Sequence, residues 1–437
     1  MFRFFICLVI CFFPRVLFAS SGSETTDFPL WSSVFFAAML LSIAIIPLIN
    51  AEWWSKRYPL VSIALAIPVG IIVISKNLTI LLHTFFEYLS FIILLGSLFT
   101  IAGGIVIRIG LKGTPKVNAL LLGIGALFAS FIGTTGASMI LIRPIIRINR
   151  WRNHIIHIFI FFIFLVSNIG GLLTPLGDPP LFLGFLKGVP FFWTFKLIPI
   201  WLFATFILLF IFLLVDNYFL KKEDIETINK SMPLFEKKLV IKGKRNFIFL
   251  LMVVGSFFLP PLFREAVMIS AALLSVYFTP ITLREENSFT YHPIIEVAIL
   301  FIGIFITMIP VMKLLELKGS SLGISEPWQF FWITGTLSSF LDNAPTYLVF
   351  MATAQSVAIA KNITTNLVVG VPEIYLRAIS VGAVFMGANT YIGNGPNFMV
   401  KAICEENDIK MPSFFGYMAW SCTILIPIFI LITFVFF

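Results

Sequence analysis

Residues 167–180 read SNIGGLLTPLGDPP, and they interrupt an apolar stretch that otherwise extends across residues 154–193. Glycine and proline together break the hydrogen-bond ladder of a helix. Lipid cannot satisfy the backbone groups that such a break frees, so a broken helix in a bilayer lines a cavity. Asp178 lies in this break, and an acid at that depth costs about 2.5–3.5 kcal/mol on insertion scales. The stretch therefore predicts a buried polar site inside a membrane protein.

The composition of the whole chain agrees with a membrane environment. Of 437 residues, 59% are hydrophobic and 12% are charged, which leaves too few charges to cover a soluble protein. Apolar spans long enough for a bilayer, about 20 residues each, recur along the chain. The net charge of +9 comes from Lys and Arg between these spans, the pattern that sets membrane topology. We expect an all-α polytopic protein whose partners are the lipid bilayer and small ions, with no nucleic acid.

The first 19 residues resemble a secretory signal peptide. Arg3 precedes an apolar run that ends in small residues, with cleavage expected near Ala19. Pro14 and Arg15 interrupt the run, so an uncleaved anchor helix is the alternative. The sequence predicts a multi-pass protein of the bacterial plasma membrane, with its mature N-terminus outside if the leader is cleaved.

A basic linker, residues 216–246, divides the remaining chain into two halves, residues 20–215 and 247–437. Two pairs of stretches align between the halves: SFIGTTGA (130–137) with SFLDNAPT (339–346), and PLGDPPLF (175–182) with YIGNGPNF (391–398). Identity is low, but order, spacing and element type match. Paired Gly/Pro-interrupted apolar segments predict an internal repeat.

The topology of the repeat follows from its basic residues. If residues 117–142 and 328–355 form re-entrant hairpins, the arginines after the first hairpin stay on the inner side, as the positive-inside rule requires. These arginines are Arg143, Arg147, Arg150 and Arg152. Each half then has five transmembrane helices and one hairpin. Because five is odd, the second half is inverted, and the sequence predicts two inverted-topology repeats with discontinuous helices.

The four breaks carry different polar residues in the two halves. The first broken helix has Asp178, where the second has Asn394; the second hairpin tip has Asp342, where the first tip has no acid. An inverted repeat brings the four breaks together near the midplane. The candidate binding residues are the polar side chains of these breaks: Asp178, Asp342, Asn343, Thr346, Asn168, Thr174, Thr134, Thr135, Asn389, Thr390, Asn394 and Asn397.

These side chains suit a cation that exchanges with a proton. Carboxylate, amide and hydroxyl oxygens are ligands for hard cations, and a buried carboxylate also binds H⁺. We therefore expect Asp178 and Asp342 to bind transported Na⁺, with H⁺ as the competing ion and no cofactor. The sequence has no phosphate-cradling Gly-Lys-Ser/Thr loop, so an ion gradient is the expected driving force. His154, His157 and His292 lie near predicted membrane edges, where solvated or snorkelling side chains are expected.

The motifs at 167–180 and 340–346 (FLDNAPT) resemble the NhaD-type sodium/proton antiporters. That family belongs to a wider ion-transporter superfamily with citrate, dicarboxylate and arsenite carriers. The resemblance implies a scaffold and a transport domain, an elevator-like movement and commonly a homodimer. The dicarboxylate branch carries Ser-Asn-Thr signatures at both hairpin tips, and neither tip matches here. An acid at the second tip, Asp342, would repel an anion and favours a cation substrate.

Two other functions remain as alternatives. The first is ion-coupled uptake of citrate or a dicarboxylate, or arsenite efflux, on the same scaffold. The second is an intramembrane aspartyl protease, suggested by two membrane aspartates. Pro175 stands where such a protease has glycine, and no Tyr-Asp partner exists. The sequence thus favours a sodium/proton antiporter over an enzyme.

Overall fold

The computed structural model describes residues 28–223, 240–287 and 289–437. The predicted signal peptide and most of the predicted linker lie outside these residues. Within the described ranges, seven helices are long and apolar enough to cross a membrane. The chain is an α-helical multi-pass membrane protein, and the count of five crossings and one hairpin in each half stays a prediction.

The described part of the first half forms eight α-helices. They are α1 (Ser33–Ile49), α2 (Ala51–Lys76), α3 (Leu78–Ala102), α4 (Pro115–Ile132), α5 (Thr134–Asn149), α6 (Ile156–Leu165), α7 (Pro179–Leu186) and α8 (Ile198–Leu220). Proline occupies the first turn of α4 and α7, where a missing N–H costs nothing. Asn50 ends α1 and caps α2, because its side chain accepts a hydrogen bond from the Trp53 N–H at 2.9 Å.

The described part of the second half forms nine α-helices. They are α9 (Arg245–Ser256), α10 (Phe263–Phe278), α11 (Ile281–Glu286), α12 (His292–Lys318), α13 (Pro327–Phe340), α14 (Asn343–Ala360), α15 (Glu373–Met386), α16 (Gly395–Glu406) and α17 (Phe414–Phe436). Side chains again define the ends: Asp342 caps α14 and Ser413 caps α17. Such caps satisfy N–H groups that have no partner within the helix.

Two short antiparallel ribbons accompany the helices. Strand β1 (Val106–Arg108) pairs with β2 (Val240–Lys242), and β3 (Leu367–Val368) pairs with β4 (Val371–Pro372). The sequence predicted helices alone, because strands of two or three residues are too short to show a period-two pattern. Glu286 reinforces the first ribbon, since its carboxylate lies 2.6 Å from Arg108 Nη2 and 3.2 Å from Lys242 Nζ.

The chain divides into two compact units. The first comprises the described residues up to Leu89 together with Ala298–Leu317, and the second comprises the described residues of Ser90–Val297 and Lys318–Phe437. These units differ from the predicted halves. The halves were defined by stretches that repeat along the sequence, whereas the units are defined by which residues pack together in space.

The first unit is held by an apolar cluster and by long-range hydrogen bonds. The buried members of the cluster are Phe28, Val69, Val73 and Ile309. The Ser62 hydroxyl donates to the Ile299 carbonyl at 2.7 Å, which joins segments that are distant along the sequence within this unit.

The second unit contains the four broken segments. Gly133 separates α4 from α5 and has a φ of 80°, a conformation that glycine adopts without the strain of a side chain. Residues 341–342 separate α13 from α14, and in both pairs the flanking helices contact each other. Asp178 and Asn394 are extended residues immediately before α7 and α16. The breaks therefore lie at the Gly, Pro, Asp and Asn positions that the sequence indicated.

Candidate functional site

The four breaks meet at the carboxylate of Asp178, which is 1% exposed. Thr134 Oγ1 donates to Asp178 Oδ1 at 2.9 Å, and Asn394 Nδ2 donates to the same oxygen at 3.0 Å. Asn343 Nδ2 donates to Asp178 Oδ2 at 2.5 Å. Each donor comes from a different break, so residues predicted from separate segments surround one acid. The three donors are all neutral.

The second predicted acid, Asp342, has a different environment. Its side chain is half-buried and accepts a hydrogen bond from the Ala344 N–H at 3.0 Å, which caps α14. Its backbone carbonyl accepts from the Thr346 hydroxyl at 2.9 Å. Asp342 lies close enough for its charge to act on Asp178. The two carboxylates are neighbours, but only Asp178 is enclosed by side-chain donors.

Two further asparagines position the donor Asn394. Asn168 Oδ1 accepts from Asn394 Nδ2 at 3.2 Å, and Asn168 Nδ2 donates to Asn397 Oδ1 at 2.7 Å. Asn397 Nδ2 in turn donates to the carbonyls of Gly387 and Thr390, both at 2.9 Å. Asn168 and Asn397 therefore connect the two broken helices around the acid without contacting it.

The two predicted threonines of the broken helices make corresponding contacts. The Thr174 hydroxyl donates to the Ser130 carbonyl, and the Thr390 hydroxyl donates to the Ser339 carbonyl. Ser130 and Ser339 also donate their own hydroxyls to carbonyls of the broken segments in their halves. These serines were not among the candidate residues, although they begin the aligned stretches at 130–137 and 339–346. They attach each hairpin tip to its broken helix.

The glycines of the broken segments permit a close backbone approach. A Cβ atom on Gly177 would collide with the carbonyl oxygen of Gly171, and one on Gly393 would collide with that of Gly387. The chain therefore folds back on itself just before Asp178 and again just before Asn394. In addition, the Thr134 N–H donates to the Gly177 carbonyl at 2.8 Å, so this fold-back also fixes the first hairpin tip.

The remaining predicted residues lie around the site. Thr135 lines the cavity beside Asp178. Asn389 Nδ2 donates to Ser339 Oγ at 2.9 Å, whereas its Oδ1 is buried and has no partner among the described residues. None of the hydrogen bonds between described residues joins Thr135, Asn389 or Thr346 to Asp178, so these three have supporting positions.

A cavity of about 120 Å³ borders the Asp178 carboxylate. Among the described residues that line it, Asp178 alone carries a charge, and most of the others are apolar. A volume of this size holds about four water molecules. It therefore suits a proton or a small cation that keeps part of its water shell.

A second buried acid, Asp216, was not among the candidate residues. Its carboxylate is 2.5 Å from Arg152 Nη2, 2.8 Å from His157 Nε2 and 3.1 Å from Asn118 Nδ2. The expectation of a solvated or snorkelling His157 is wrong, since this residue is 2% exposed. The apolar residues that surround it in sequence gave no sign of a buried partner, because Asp216 lies on a different helix.

The comparison with known families agrees with this geometry. A family model described as "Putative citrate transport" matches residues 25–437. None of the curated proteins matches the chain significantly. The family match fits the ion-transporter superfamily that the broken-helix motifs resemble, and it covers both hairpin tips and both broken helices. The chain is a transporter and belongs to this family of citrate-transport-like membrane proteins.

Proposed function

We propose that the protein is a secondary active transporter that exchanges Na⁺ for H⁺, with Asp178 as the ion-carrying group. One observation carries the proposal: the buried Asp178 carboxylate is held by three neutral donors from three other broken segments. An ionised carboxylate buried without a cationic partner is costly. A mobile positive charge, H⁺ or Na⁺, removes that cost, and the two ions then compete for one group.

The neighbouring side chains can adapt to either ion. When Asp178 is free of a cation, the amides of Asn343 and Asn394 and the Thr134 hydroxyl donate to its oxygens. An amide that turns by half a rotation presents its oxygen instead. With both amides turned, oxygens from Asp178, Thr134 and the two asparagines supply the hard ligands that an alkali cation prefers. Asp342 adds a second negative charge nearby.

The proposal includes two inverted repeats that each contain a re-entrant hairpin and move in an elevator-like cycle. The corresponding serine and threonine contacts of the two halves support this symmetry. The broken helices carry unequal residues, Asp178 in the first half and Asn394 in the second, so only the first broken helix carries a charge. A bacterial inner-membrane location and a homodimer complete the proposal, on the basis of the resemblance to NhaD-type antiporters.

Ion-coupled citrate transport is the second candidate, because the matching family is described by that substrate. Two features of the site oppose it. The cavity beside Asp178 has a volume of about 120 Å³, which is small for a molecule with three carboxylates. Among the described residues that line this cavity there is no Lys, Arg or His to neutralise an anion.

Everted membrane vesicles distinguish the candidates. With a respiration-driven pH gradient in place, added Na⁺ is expected to collapse the gradient in vesicles that contain the protein, and vesicles without it serve as the control. The same vesicles are tested for uptake of labelled citrate in either orientation. Citrate transport without any response to Na⁺ would overturn antiport and establish the second candidate.

A further inference from the structure

A separate cavity lies at the far end of two helices that begin at the Asp178 site. Helix α5 starts at Thr134, and α16 is preceded by Asn394; both residues bind Asp178, and the two helices contact each other. Three arginines and Glu406 occupy the distal ends of this pair. Arg143 is nine residues beyond Thr134, which places it about 14 Å further along the helix axis. This cavity is therefore separate from the ion site.

The cavity has a volume of about 410 Å³ and a wall dominated by charged groups. The polar residues of its wall are Arg143, Arg147, Arg150, Glu286, Glu406 and Asn407. The three arginines follow one another at helical spacings of four and three residues, so their side chains leave α5 and its C-terminal cap on one face. A space of this size holds about a dozen water molecules.

The positive charge of this wall is largely uncompensated. Glu286 already forms ion pairs with Arg108 and Lys242, at 2.6 and 3.2 Å. Glu406 acts electrostatically on Arg143. In the described parts of the chain, no acid lies within ion-pair distance of Arg143, Arg147 or Arg150. The cations around the cavity therefore outnumber the acids.

Arg143 provides the more specific observation. Its Nη1 atom is buried and has no hydrogen-bond partner among the described residues. A buried donor without a partner costs free energy, and such an atom calls for a water or a ligand. Arg147 and Arg150 are exposed, so a ligand can enter the cavity from the solvent. Arg143 lies at the buried end of the cavity.

We propose that this cavity binds a phosphate group. Arginine presents a planar fork of donors that matches phosphate geometry, and three arginines on one wall can engage several oxygens of a tetrahedral anion. A carboxylate offers only two oxygens in one plane. Basic pockets between membrane helices also bind phosphate-bearing lipid head groups. The phosphate comes either from a soluble phosphate compound or from an anionic lipid such as cardiolipin.

Binding is measured on the purified full-length protein without any ion gradient, so the outcome does not depend on the transported ion. One arm titrates radiolabelled pyrophosphate by equilibrium dialysis. The other arm titrates cardiolipin and detects the complex by native mass spectrometry. Binding of pyrophosphate assigns a soluble ligand, and binding of cardiolipin alone assigns a lipid; both results support the proposal. If the wild-type protein binds neither probe, the proposal is wrong.

The variant Arg147→Gln/Arg150→Gln is expected to weaken binding by about tenfold or more, because each charge-assisted hydrogen bond is strong. Both residues are exposed, so the fold tolerates the change. Arg57→Gln/Lys318→Gln removes the same charge from exposed positions elsewhere and should change binding by less than about twofold, as screening predicts. If both double variants weaken binding equally, the effect comes from the net charge of the protein and not from this cavity, and the proposed site is wrong.

Arg143→Lys tests the geometry at constant charge. Lysine keeps the positive charge but lacks the fork, so binding should weaken even though the net charge of the protein is unchanged. Normal binding by this variant, together with normal binding by Arg147→Gln/Arg150→Gln, would contradict the proposed cavity. Size-exclusion chromatography of each variant confirms that it is folded.

Discussion

Asp178 and Asp216 are two buried carboxylates in one compact unit, and they are satisfied in opposite ways. Asp216 is 0% exposed and contacts a guanidinium, an imidazole and an amide. Asp178 is 1% exposed and contacts a hydroxyl and two amides. The number of contacts is similar, so the difference lies in the charge of the partners.

In the proposed antiporter, this difference separates a structural acid from the acid that carries the ion. The charge of Asp216 is compensated by Arg152, so the protein itself completes the pair. Among the described residues that bind Asp178, none carries a positive charge, so its compensating charge must come from solution. We therefore expect the absence of a fixed counter-charge, more than burial alone, to mark the acid of the proposed ion site.

The largest expected effect is that of Asp178→Asn. Sodium-triggered proton release from the purified protein should be lost completely, because the variant keeps the shape of the side chain but binds neither ion. Its thermal unfolding midpoint should fall less than that of Asp216→Asn, since no fixed ion pair is broken. Asp408→Asn, which removes an exposed acid, is the control and should release protons normally. Full proton release by Asp178→Asn would remove the distinction between the two acids.

Asp216→Asn should act on stability instead. Removing one partner of a buried ion pair leaves the charge of Arg152 uncompensated and costs about 3–5 kcal/mol. A lower thermal unfolding midpoint in detergent is the expected observation. The double variant Arg152→Gln/Asp216→Asn should be more stable than the sum of the single effects predicts, because it removes both charges. If Asp216→Asn unfolds at the wild-type temperature but does not transport, Asp216 has a role in transport and is not a purely structural acid.

The neutral donors around Asp178 should have intermediate effects. Asn343→Ala and Asn394→Ala each remove an amide whose oxygen, in the proposed sodium-bound state, turns toward the cation as a ligand. The half-saturating Na⁺ concentration in everted vesicles should rise by about tenfold or more in each variant. Asn217→Ala changes an exposed asparagine whose side chain donates to the Leu213 carbonyl, and it should leave the Na⁺ response unchanged. If all three variants behave alike, the amides are not ligands.

The smallest effect concerns Glu286, an acid outside the membrane-spanning helices. Partial burial opposes its charge, but hydrogen bonds and charge from Arg108 and Lys242 hold the pKa of its carboxyl below the usual value. Its stabilising contribution is therefore complete above the ordinary glutamate pKa of about 4.3 and is lost as the pH falls through the lowered pKa. Glu286→Gln should lose up to about 1 kcal/mol at neutral pH.

Unfolding of Glu286→Gln and wild type is compared at neutral and at acid pH. The difference between them should shrink at acid pH, because the wild-type carboxyl then loses its charge as well. Glu285→Gln, which changes the exposed neighbour, should have no pH-dependent effect of this size. A stability difference that persists at acid pH would show that Glu286 acts through packing and not through its charge.

The sequence predicted the site more completely than it predicted the surrounding charge network. Gly, Pro and polar residues inside apolar spans are rare, so Asp178, Asn343 and Asn394 were identifiable from local pattern alone. Asp216 and Arg152 lie near the ends of apolar spans, where charged residues are expected to face water. Their pairing depends on how two helices pack, which local sequence does not encode.

The way the breaks come together likewise depends on helix packing, which local sequence does not encode. The sequence predicted four broken segments and an inverted arrangement that brings them together, but it did not predict that three of them would donate to one carboxylate. Nor did it distinguish Asp342, which caps a helix, from Asp178, which is enclosed. Both residues are acids beside a helix break, and only their partners from distant segments separate them.

The Asp178 site also constrains how the protein is made. Two of its three side-chain donors, Asn343 and Asn394, belong to the last third of the chain and leave the ribosome long after Asp178 itself. Until then the acid has Thr134 as its only partner from this group. Apolar segments can enter the bilayer during synthesis, but an acid without partners there is costly. We therefore expect the segment around Asp178 to insert stably only after the second half of the chain has been synthesised and supplies the missing donors.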